Sequence, residues 1–336
     1  MIESPSIAGM WKRTAELNIP FTVMMELTYQ CNLHCRHCYI VNNDERQELT
    51  LTEITRIIDE VRDAGTLFIV LTGGEALIRD DFFAIAKYIR DKGLALMLIT
   101  NGTLIDVVRA DAIAELNPFR VGISLYATKP EIHDKITQVQ GSFSETISAI
   151  KVLKSKKVNV ALKCTIIKQN MGEYKELLVL AKSLGVGADF SPFIVPKDNG
   201  SKEPIKYRLA DEELEAVISD SELNKKSNYG QGSRKESDFI CDAGKSICAI
   251  SPYGDVYPCI QLRVNAGNLQ VNSFKEIWNN GEELLGIRDI KFEHLTQCSH
   301  CILWSNCARC PGIALLEDGD LFGPSSLACK LAGMMN

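Results

Sequence analysis

Apolar and polar positions along the first two-thirds of the chain follow a pattern typical of strands alternating with helices. Short apolar runs predict buried strands, and longer stretches with apolar residues three or four positions apart predict helices. Thr50 and Glu53 are spaced as a capping box at the start of one such stretch. The predicted strands cover residues 21–27, 67–71, 94–99, 121–125, 158–167 and 186–190. The predicted helices cover residues 50–61, 81–92, 106–116, 144–156 and 172–184.

This alternation predicts an α/β fold, a parallel sheet with helices packed outside it. Six strand–helix units are fewer than the eight of a closed barrel, so we expect an open, partial (βα)6 barrel. Barrel chemistry gathers in the loops after the C-terminal ends of the strands. Those loops hold a three-cysteine motif, the segment 73–75 and the segment 100–102.

The pattern divides the chain into four predicted regions. Residues 1–20 form an N-terminal arm and residues 21–191 form the partial barrel. Residues 192–240 are rich in polar residues, Gly, Pro and Ser, which predicts a linker with a short helix near 211–219. Residues 241–336 form a small cysteine-rich domain.

Composition narrows the class of protein. The chain has 336 residues, 46% of them hydrophobic, which is an ordinary globular composition. Its net charge of −6 argues against nucleic acid as the main partner, because phosphate binding needs a basic face. No apolar run reaches the roughly 18 residues of a membrane span, and the start lacks the pattern of a signal peptide. We therefore expect no membrane and a cytoplasmic location, where twelve cysteines indicate metal binding more than disulfides.

Cys31, Cys35 and Cys38 form a C-x-x-x-C-x-x-C loop directly after the first predicted strand. Three thiolates on one tight loop can hold three irons of an iron–sulfur cluster and leave the fourth without a protein ligand. An iron of that kind can bind an exchangeable ligand. A zinc ion held by three thiolates is the alternative, and the position at a strand end favours the cluster.

The cysteine loop, Tyr39 and the segment Gly73-Gly74-Glu75 together resemble the radical S-adenosylmethionine (SAM) superfamily. The resemblance covers about residues 21–191. It implies that a [4Fe–4S] cluster binds SAM, and that reductive cleavage of SAM gives a 5′-deoxyadenosyl radical that abstracts hydrogen from a substrate. It also implies a flavodoxin or ferredoxin as the electron donor.

The resemblance assigns further residues to SAM. Gly73 and Gly74 would let the backbone approach the methionyl group, and Glu75 would accept from its amine or fix the turn. Ser124 would contact SAM from the fourth strand. The predicted SAM contacts are completed by Tyr39 beside the last cysteine, Thr100 and Asn101 after the third strand, and Lys163 and Thr165 on the fifth. Structural roles remain the alternative for Asn101, Lys163 and Thr165, and Cys164 is expected to be a small core residue.

The cysteine-rich end resembles the SPASM extension of that superfamily, which carries two auxiliary iron–sulfur clusters. By position, the resemblance assigns the first cluster to Cys241, Cys248, Cys259 and Cys310. It assigns the second to Cys298, Cys301, Cys307 and Cys329. Two residues separate Cys307 from Cys310 where the family usually has three, which leaves the exact ligand set open, and zinc is an alternative occupant. The clusters would carry electrons, bind substrate or hold the fold.

The substrate expected from the resemblance is a ribosomally made peptide that is cross-linked or oxidised. Cys241-Asp-Ala-Gly resembles enzymes of pyrroloquinoline quinone and mycofactocin formation, and Cys310-Pro-Gly resembles related peptide maturases. The short N-terminal arm leaves leader recognition to the barrel or to a separate leader-peptide-binding protein.

Three different functions would also fit this architecture. Sulfatase-type maturation is one, but Ile260 stands where that group has an acid, and only Asp255 lies nearby. The second is decarboxylation of a haem precursor, since enzymes of that kind share the arrangement of domains. The third is a non-catalytic electron carrier, in which the glycine-rich SAM contacts at the barrel mouth would have no use.

Overall fold

The structure is a computed structural model that describes residues 7–41, 45–223 and 239–335. Six parallel strands form the partial barrel, as predicted. They are β1 (Thr22–Glu26), β2 (Phe68–Thr72), β3 (Ala95–Thr100), β4 (Arg120–Ser124), β5 (Val160–Thr165) and β6 (Gly187–Ser191). Neighbouring strands in sequence are neighbours in the sheet, so all six C-terminal ends meet at one edge.

Helices cover the outer face of these strands. They are α2 (Leu51–Asp63), α3 (Phe82–Asp91), α4 (Val107–Glu115), α5 (Pro130–Thr137), α6 (Ser142–Ser155), α7 (Tyr174–Leu184) and α8 (Asp211–Ile218). The capping box of Thr50 and Glu53 begins α2, whose buried face includes Ile54 and Ile57. Side chains on one face of the strands pack against these helices, and the other face lines the barrel interior.

Two helices before residue 192 were not predicted from the pattern, and neither were the helices of the C-terminal region described below. The N-terminal arm contains α1 (Ile7–Glu16), whose Trp11 ring packs on Phe21. The segment before α6 contains α5, which starts at Pro130 and is eight residues long. Residues 1–6, and residues 224–238 of the predicted linker, lie outside the described residues.

The sheet continues into the C-terminal region. β7 (Ile247–Ile250) pairs in parallel with β1, and β8 (Val256–Tyr257) pairs antiparallel with β7. Val23 of β1 lies opposite Cys248 in this register. The predicted boundary at residue 241 therefore separates two segments that share one eight-stranded sheet.

The rest of the C-terminal region is helical and loop-rich. Its helices are α9 (Phe274–Asn280), α10 (Glu282–Arg288), α11 (Pro311–Ile313) and α12 (Ser326–Met334), and a π-helical turn (Ala314–Asp318) follows α11. Across the part of the chain that the structure describes, no helix combines the length and apolar character needed to cross a membrane.

Candidate functional site

The three cysteines of the first motif open into one large cavity at the C-terminal edge of the barrel. The cavity measures about 800 Å³ and is lined by Cys31, Cys35 and Cys38. Barrel-facing side chains of five strands complete its inner wall: Met24, Thr72, Ile99, Ser124 and Thr165. The prediction that the loops after the C-terminal strand ends lie together at one edge of the barrel is confirmed for the residues that line this cavity.

The cysteines of this loop are half-buried, and burial is the main influence on the pKa values of their thiols. Burial, with repulsion from Cys38 and Cys31, raises the pKa of Cys35 to about 12. Burial likewise raises the pKa values of Cys31 and Cys38. A positively charged iron centre would stabilise these thiols as thiolates, so the donor set and its common cavity fit a cluster. Within the described ranges, no three His, Cys, Asp or Glu side chains converge on a position for a single metal ion.

Gly73 and Gly74 also line the cavity, and the structure gives a packing reason for both glycines. A Cβ at Gly73 would lie 2.3 Å from the Thr28 carbonyl oxygen, and one at Gly74 would lie 2.2 Å from that of Gln30. Gly73 also has a φ of 129°, which favours glycine. The turn after β2 is thus in backbone contact with the segment that leads into the cysteine loop, while contact with SAM stays a prediction.

Glu75 fixes this turn, the second of its two predicted roles. Its carboxylate is fully buried and accepts from the Leu77 backbone N–H (3.1 Å), the Thr100 hydroxyl (2.8 Å) and the Asn101 backbone N–H (2.7 Å). Glu75 is not among the residues that line the cavity, so the structure offers no support for contact with the SAM amine. Its carboxylate joins the loops that follow β2 and β3.

Asn101 connects the β3 loop to the cysteine loop. Its side-chain amide donates to Asn32 Oδ1 (2.9 Å) and lies 3.9 Å from Cys31 Sγ, while its oxygen accepts from Thr103. Thr100 and Asn101 both line the cavity. Asn101 therefore holds Cys31 in position, and its bonds with Thr103 also fix the turn after β3.

Lys163 and Thr165 alternate with the buried Cys164 on β5, but only Thr165 lines the cavity. The Lys163 ammonium is 2.9 Å from Asp189 Oδ2. Because its ammonium is paired with Asp189, Lys163 has a structural role on β5. Its position gives no support to the predicted contact with SAM. Cys164 is buried in the core, as expected.

Tyr126 is a site residue that the sequence interpretation missed. Its hydroxyl lies 4.0 Å from Cys35 Sγ, and its buried ring packs between the rings of His37 and His133. The His133 Nδ1 atom accepts from the Tyr126 backbone N–H at 3.2 Å. A signal was present, because the resemblance to the radical SAM superfamily implies an acid at the position where this chain has Tyr126.

A buried ionic network behind the cavity was also missed. Arg263 donates to both oxygens of Glu26 (2.7 and 2.8 Å), and its Nη2 is 3.4 Å from Asp198 Oδ2. The hydroxyls of Tyr29 and Tyr39, which line the cavity, also donate to Glu26 (3.1 and 3.5 Å). Burial alone would lower the pKa of Arg263, but its bonds to Glu26 outweigh burial and raise it. This network joins the end of β1 to the segment that follows Cys259.

A second cavity of about 350 Å³ extends the site toward the C-terminal cysteines. It shares His37, Tyr39 and Thr165 with the first cavity, and it reaches Cys310. Phe193, Ile194, Val195 and Ile313 give it an apolar wall. Because the two cavities share three lining residues, they adjoin, and we call the pair, which reaches from the cysteine loop to Cys310, the cleft.

The C-terminal cysteines interact in two groups. Burial, then repulsion from Cys241 and Cys310, raises the pKa of Cys259 to about 12, and burial with repulsion from Cys259 raises that of Cys248. In the other group, burial and repulsion from Cys329, Cys298 and Cys301 raise the pKa of Cys307. The two groups coincide with the two predicted ligand sets, whose assignment as ligands remains a prediction. Cys301 and Cys329 are exposed.

The positions of Ile260 and Asp255 bear on sulfatase-type maturation. Ile260 lines the main cavity, so no proton acceptor stands at that position. Asp255 is buried outside the cavity, where it binds Arg46 (2.9 Å) and accepts from Asn268 (2.8 Å). Because these groups occupy its carboxylate, Asp255 does not replace the missing acid.

Comparison with known proteins places the chain in a family. Residues 25–181 match the model of the radical SAM superfamily, and residues 241–302 match that of an iron–sulfur cluster-binding domain, SPASM. The AdoMet-dependent heme synthase of Methanosarcina barkeri is 31% identical over 333 residues, which covers 91% of this chain and 95% of that protein. The mycofactocin maturase MftC of Mycolicibacterium smegmatis is 26% identical over 291 residues, 81% of this chain and 74% of that protein.

A solved structure shows the same fold. Streptococcus suis SuiB bound to its precursor peptide SuiA superposes with a TM-score of 0.75 at 17% identity, covering 96% of this chain and 78% of that one. The family matches, the relatives and this fold agree with the cysteine pattern. The chain belongs to the radical SAM superfamily and carries its SPASM domain, so it is a radical SAM enzyme whose cofactors are SAM and [4Fe–4S] clusters.

Proposed function

We propose that the enzyme modifies a ribosomally made peptide by removing hydrogen from one of its residues, giving a cross-link or an oxidised side chain. The observation that carries the proposal is the cleft, two adjoining cavities that reach from the cysteine loop to Cys310. A cleft with a polar part and an apolar part suits an extended chain that presents one side chain to the reacting centre.

Residues of the cleft would have distinct roles. Cys31, Cys35 and Cys38 would hold the cluster, and the surfaces of Tyr39, Gly73, Gly74, Thr100, Asn101, Ser124 and Thr165 that face the cavity would hold SAM. When bound, the cluster and SAM supply a 5′-deoxyadenosyl radical that accepts a hydrogen atom from the substrate. Tyr126, Ile99 and Met24 would exclude water from that step, because they close the inner wall of the cavity.

The peptide class is supported by the relatives as well as by the cleft. One relative is named a mycofactocin maturase, and the SuiB structure contains a precursor peptide. Two predicted partners belong to this proposal: a flavodoxin or ferredoxin that supplies electrons, and a separate leader-peptide-binding protein. Electrons would pass between the cleft and the auxiliary cluster assigned to Cys310.

A haem precursor is the second candidate substrate. The heme synthase of M. barkeri is more similar to the chain than MftC is, 31% against 26% identity. In that case the abstracted hydrogen would come from a side chain whose carboxylate is then lost as carbon dioxide, and the remaining electron would pass to the auxiliary cluster assigned to Cys310.

One experiment tests both candidates. The cluster-loaded enzyme is incubated anaerobically with SAM and a reductant, once with short peptides encoded beside its gene and once with a haem precursor that bears carboxylate side chains. Peptide modification predicts a peptide mass lower by two hydrogen atoms, and no loss of carbon dioxide from the haem precursor. The reverse result would reject the peptide in favour of the haem precursor. Cys35→Ala serves as the inactive control.

A further inference from the structure

The mouth of the main cavity carries an excess of positive charge. Apart from histidines and thiols, four charged residues line the cavity: Arg36, Lys197, Glu203 and Lys206. Three cations therefore face one acid, in a chain whose net charge is −6. We call these four residues the cationic rim.

Two lysines of the rim converge on one carboxylate. The Lys197 ammonium is 2.7 Å from Glu203 Oε2, and that of Lys206 is 3.4 Å from Glu203 Oε1. The hydrogen bond from Lys197 lowers the pKa of Glu203. The two ammonium groups are thus spaced to bind one carboxylate, and in this structure that carboxylate belongs to Glu203.

Arg36 adds a third positive group to the rim. It donates to the Lys135 carbonyl (3.0 Å) and to the Tyr207 hydroxyl (3.3 Å). The hydrogen bond from Arg36 and the attraction of Lys206 hold the pKa of Tyr207 below its ordinary value, although burial opposes them. The Tyr207 hydroxyl therefore indicates a positive potential at the mouth.

Backbone hydrogen bonds hold the lysines at the mouth. The Asp198 N–H donates to the Tyr39 carbonyl (2.9 Å), which fixes the segment beside Lys197 to the cysteine loop. The Lys168 N–H donates to the Tyr207 carbonyl (3.0 Å), which fixes the segment beside Lys206 to the end of β5. The rim is thus built into the barrel mouth instead of lying on an unattached surface loop.

We propose that the cationic rim binds a carboxylate of the substrate, which displaces Glu203 from Lys197 and Lys206. The inference rests on the proposed peptide function and narrows its substrate to a peptide with an acidic side chain, or a C-terminal carboxylate, near the modified residue. Glu203 then acts as an internal competitor that holds the two lysines in place until the substrate arrives.

The test measures binding to the cluster-loaded, SAM-bound enzyme without reductant, by anisotropy of a dye on the peptide. The probes are an acetylated, amidated tetraglutamate, the matching tetraglutamine, and a tetraglutamine with a free C-terminal carboxylate. The side-chain source predicts that tetraglutamate binds about tenfold more tightly than either tetraglutamine, and that added salt weakens it. The C-terminal source predicts that the free-carboxylate tetraglutamine binds about tenfold more tightly than either amidated probe.

Three variants separate carboxylate binding from a structural ion pair. Lys197→Gln and Lys206→Gln should each weaken the probe about fivefold, and Glu203→Gln should strengthen it about fivefold because the competitor is gone. If the ion pair only held the loop, all three variants would weaken binding. Lys87→Gln, at an exposed lysine of α3 paired with Asp91, is the matched control and should leave binding unchanged.

Two results would overturn the inference. Equal binding of all three probes would show that the site does not select carboxylates. Weaker SAM binding in the lysine variants would assign these cations to SAM. Neither result affects the peptide proposal, which fails only if no peptide changes mass in the turnover experiment above.

Discussion

The barrel mouth and the C-terminal cysteine region hold their thiols by different means. At the mouth, the backbone and buried polar groups shape the cysteine loop: Gly74 contacts the Gln30 backbone, and Glu75 joins the two neighbouring loops. In the C-terminal region, Cys298 and Cys307 pack in small satellite clusters with four and three buried members. Cys301 and Cys329 are exposed.

The difference in packing indicates how much the folded structure of each region depends on bound metal. The barrel loop stands on a large apolar core and has a shape that its own hydrogen bonds define. Apart from Leu327 and Leu331 of α12, the buried apolar residues from residue 292 onward lie outside the main core, most of them in small clusters, so a bound iron–sulfur cluster would contribute much of the stability of this segment. The comparison predicts a preformed site in the barrel and a metal-dependent one in the C-terminal region.

The largest expected effect is the loss of SAM cleavage in Cys35→Ala. The substitution removes one of the three thiolate ligands of the cluster, and no other residue of the loop can replace it. Release of 5′-deoxyadenosine from SAM should therefore stop. Cys164→Ala is the matched control, because Cys164 is buried on β5 outside the cavity and should leave cleavage intact. Full cleavage by Cys35→Ala would disprove the assignment of this loop.

Iron removal should separate the two regions. Anaerobic chelation is expected to release about twelve iron atoms if three [4Fe–4S] clusters are present. Hydrogen exchange should then rise steeply across residues 292–335, while the strands of the barrel stay protected. Uniform protection in both regions would contradict the comparison, and a total of about four iron atoms with zinc would contradict the auxiliary clusters.

Sequence alone predicted the features that local pattern controls. The six barrel strands and the capping box of α2 follow from apolar periodicity and side-chain spacing. The cysteine loop and the glycine pair lie at one edge because parallel strands place their ends there. The grouping of the C-terminal cysteines came from the resemblance and not from periodicity.

Contacts between residues far apart in the sequence could not be predicted from local patterns. The partners Glu26 and Arg263 are separated by 237 residues, and no local pattern links them. β7 was missed for the same reason, since its four residues join β1 from far along the chain. A signal existed in Glu26, which is a single acid at the end of an apolar strand just before the cysteine motif. A charge at such a position requires a buried partner.

Arg263→Met should destabilise the link between the two regions. The Glu26 side chain is fully buried and that of Arg263 is 8% exposed, so losing the guanidinium leaves an unpaired buried carboxylate. Breaking a pair of this kind costs about 3–5 kcal/mol of unfolding free energy, measured by denaturation of the cluster-loaded enzyme. Adding Glu26→Gln to the same chain should recover much of the loss. A single variant within about 1 kcal/mol of the wild type would show that the network does not connect the regions.

The smallest expected effect is a pH dependence at the edge of the same network. Burial raises the pKa of Asp198 to about 6, against an ordinary value of about 4. Between these values the folded state binds more protons than the unfolded state, so stability contributed by Asp198 is present at low pH and is lost as the pH rises through the folded pKa. Asp198→Asn should therefore gain about 1 kcal/mol relative to the wild type between about pH 5.5 and about pH 7.5. Asp189→Asn is the matched control: burial opposes it, but the hydrogen bond to Lys163 lowers the pKa of Asp189, so its titration lies below this range. A constant difference for Asp198→Asn across the range would mean that Arg263 keeps Asp198 charged in the folded state.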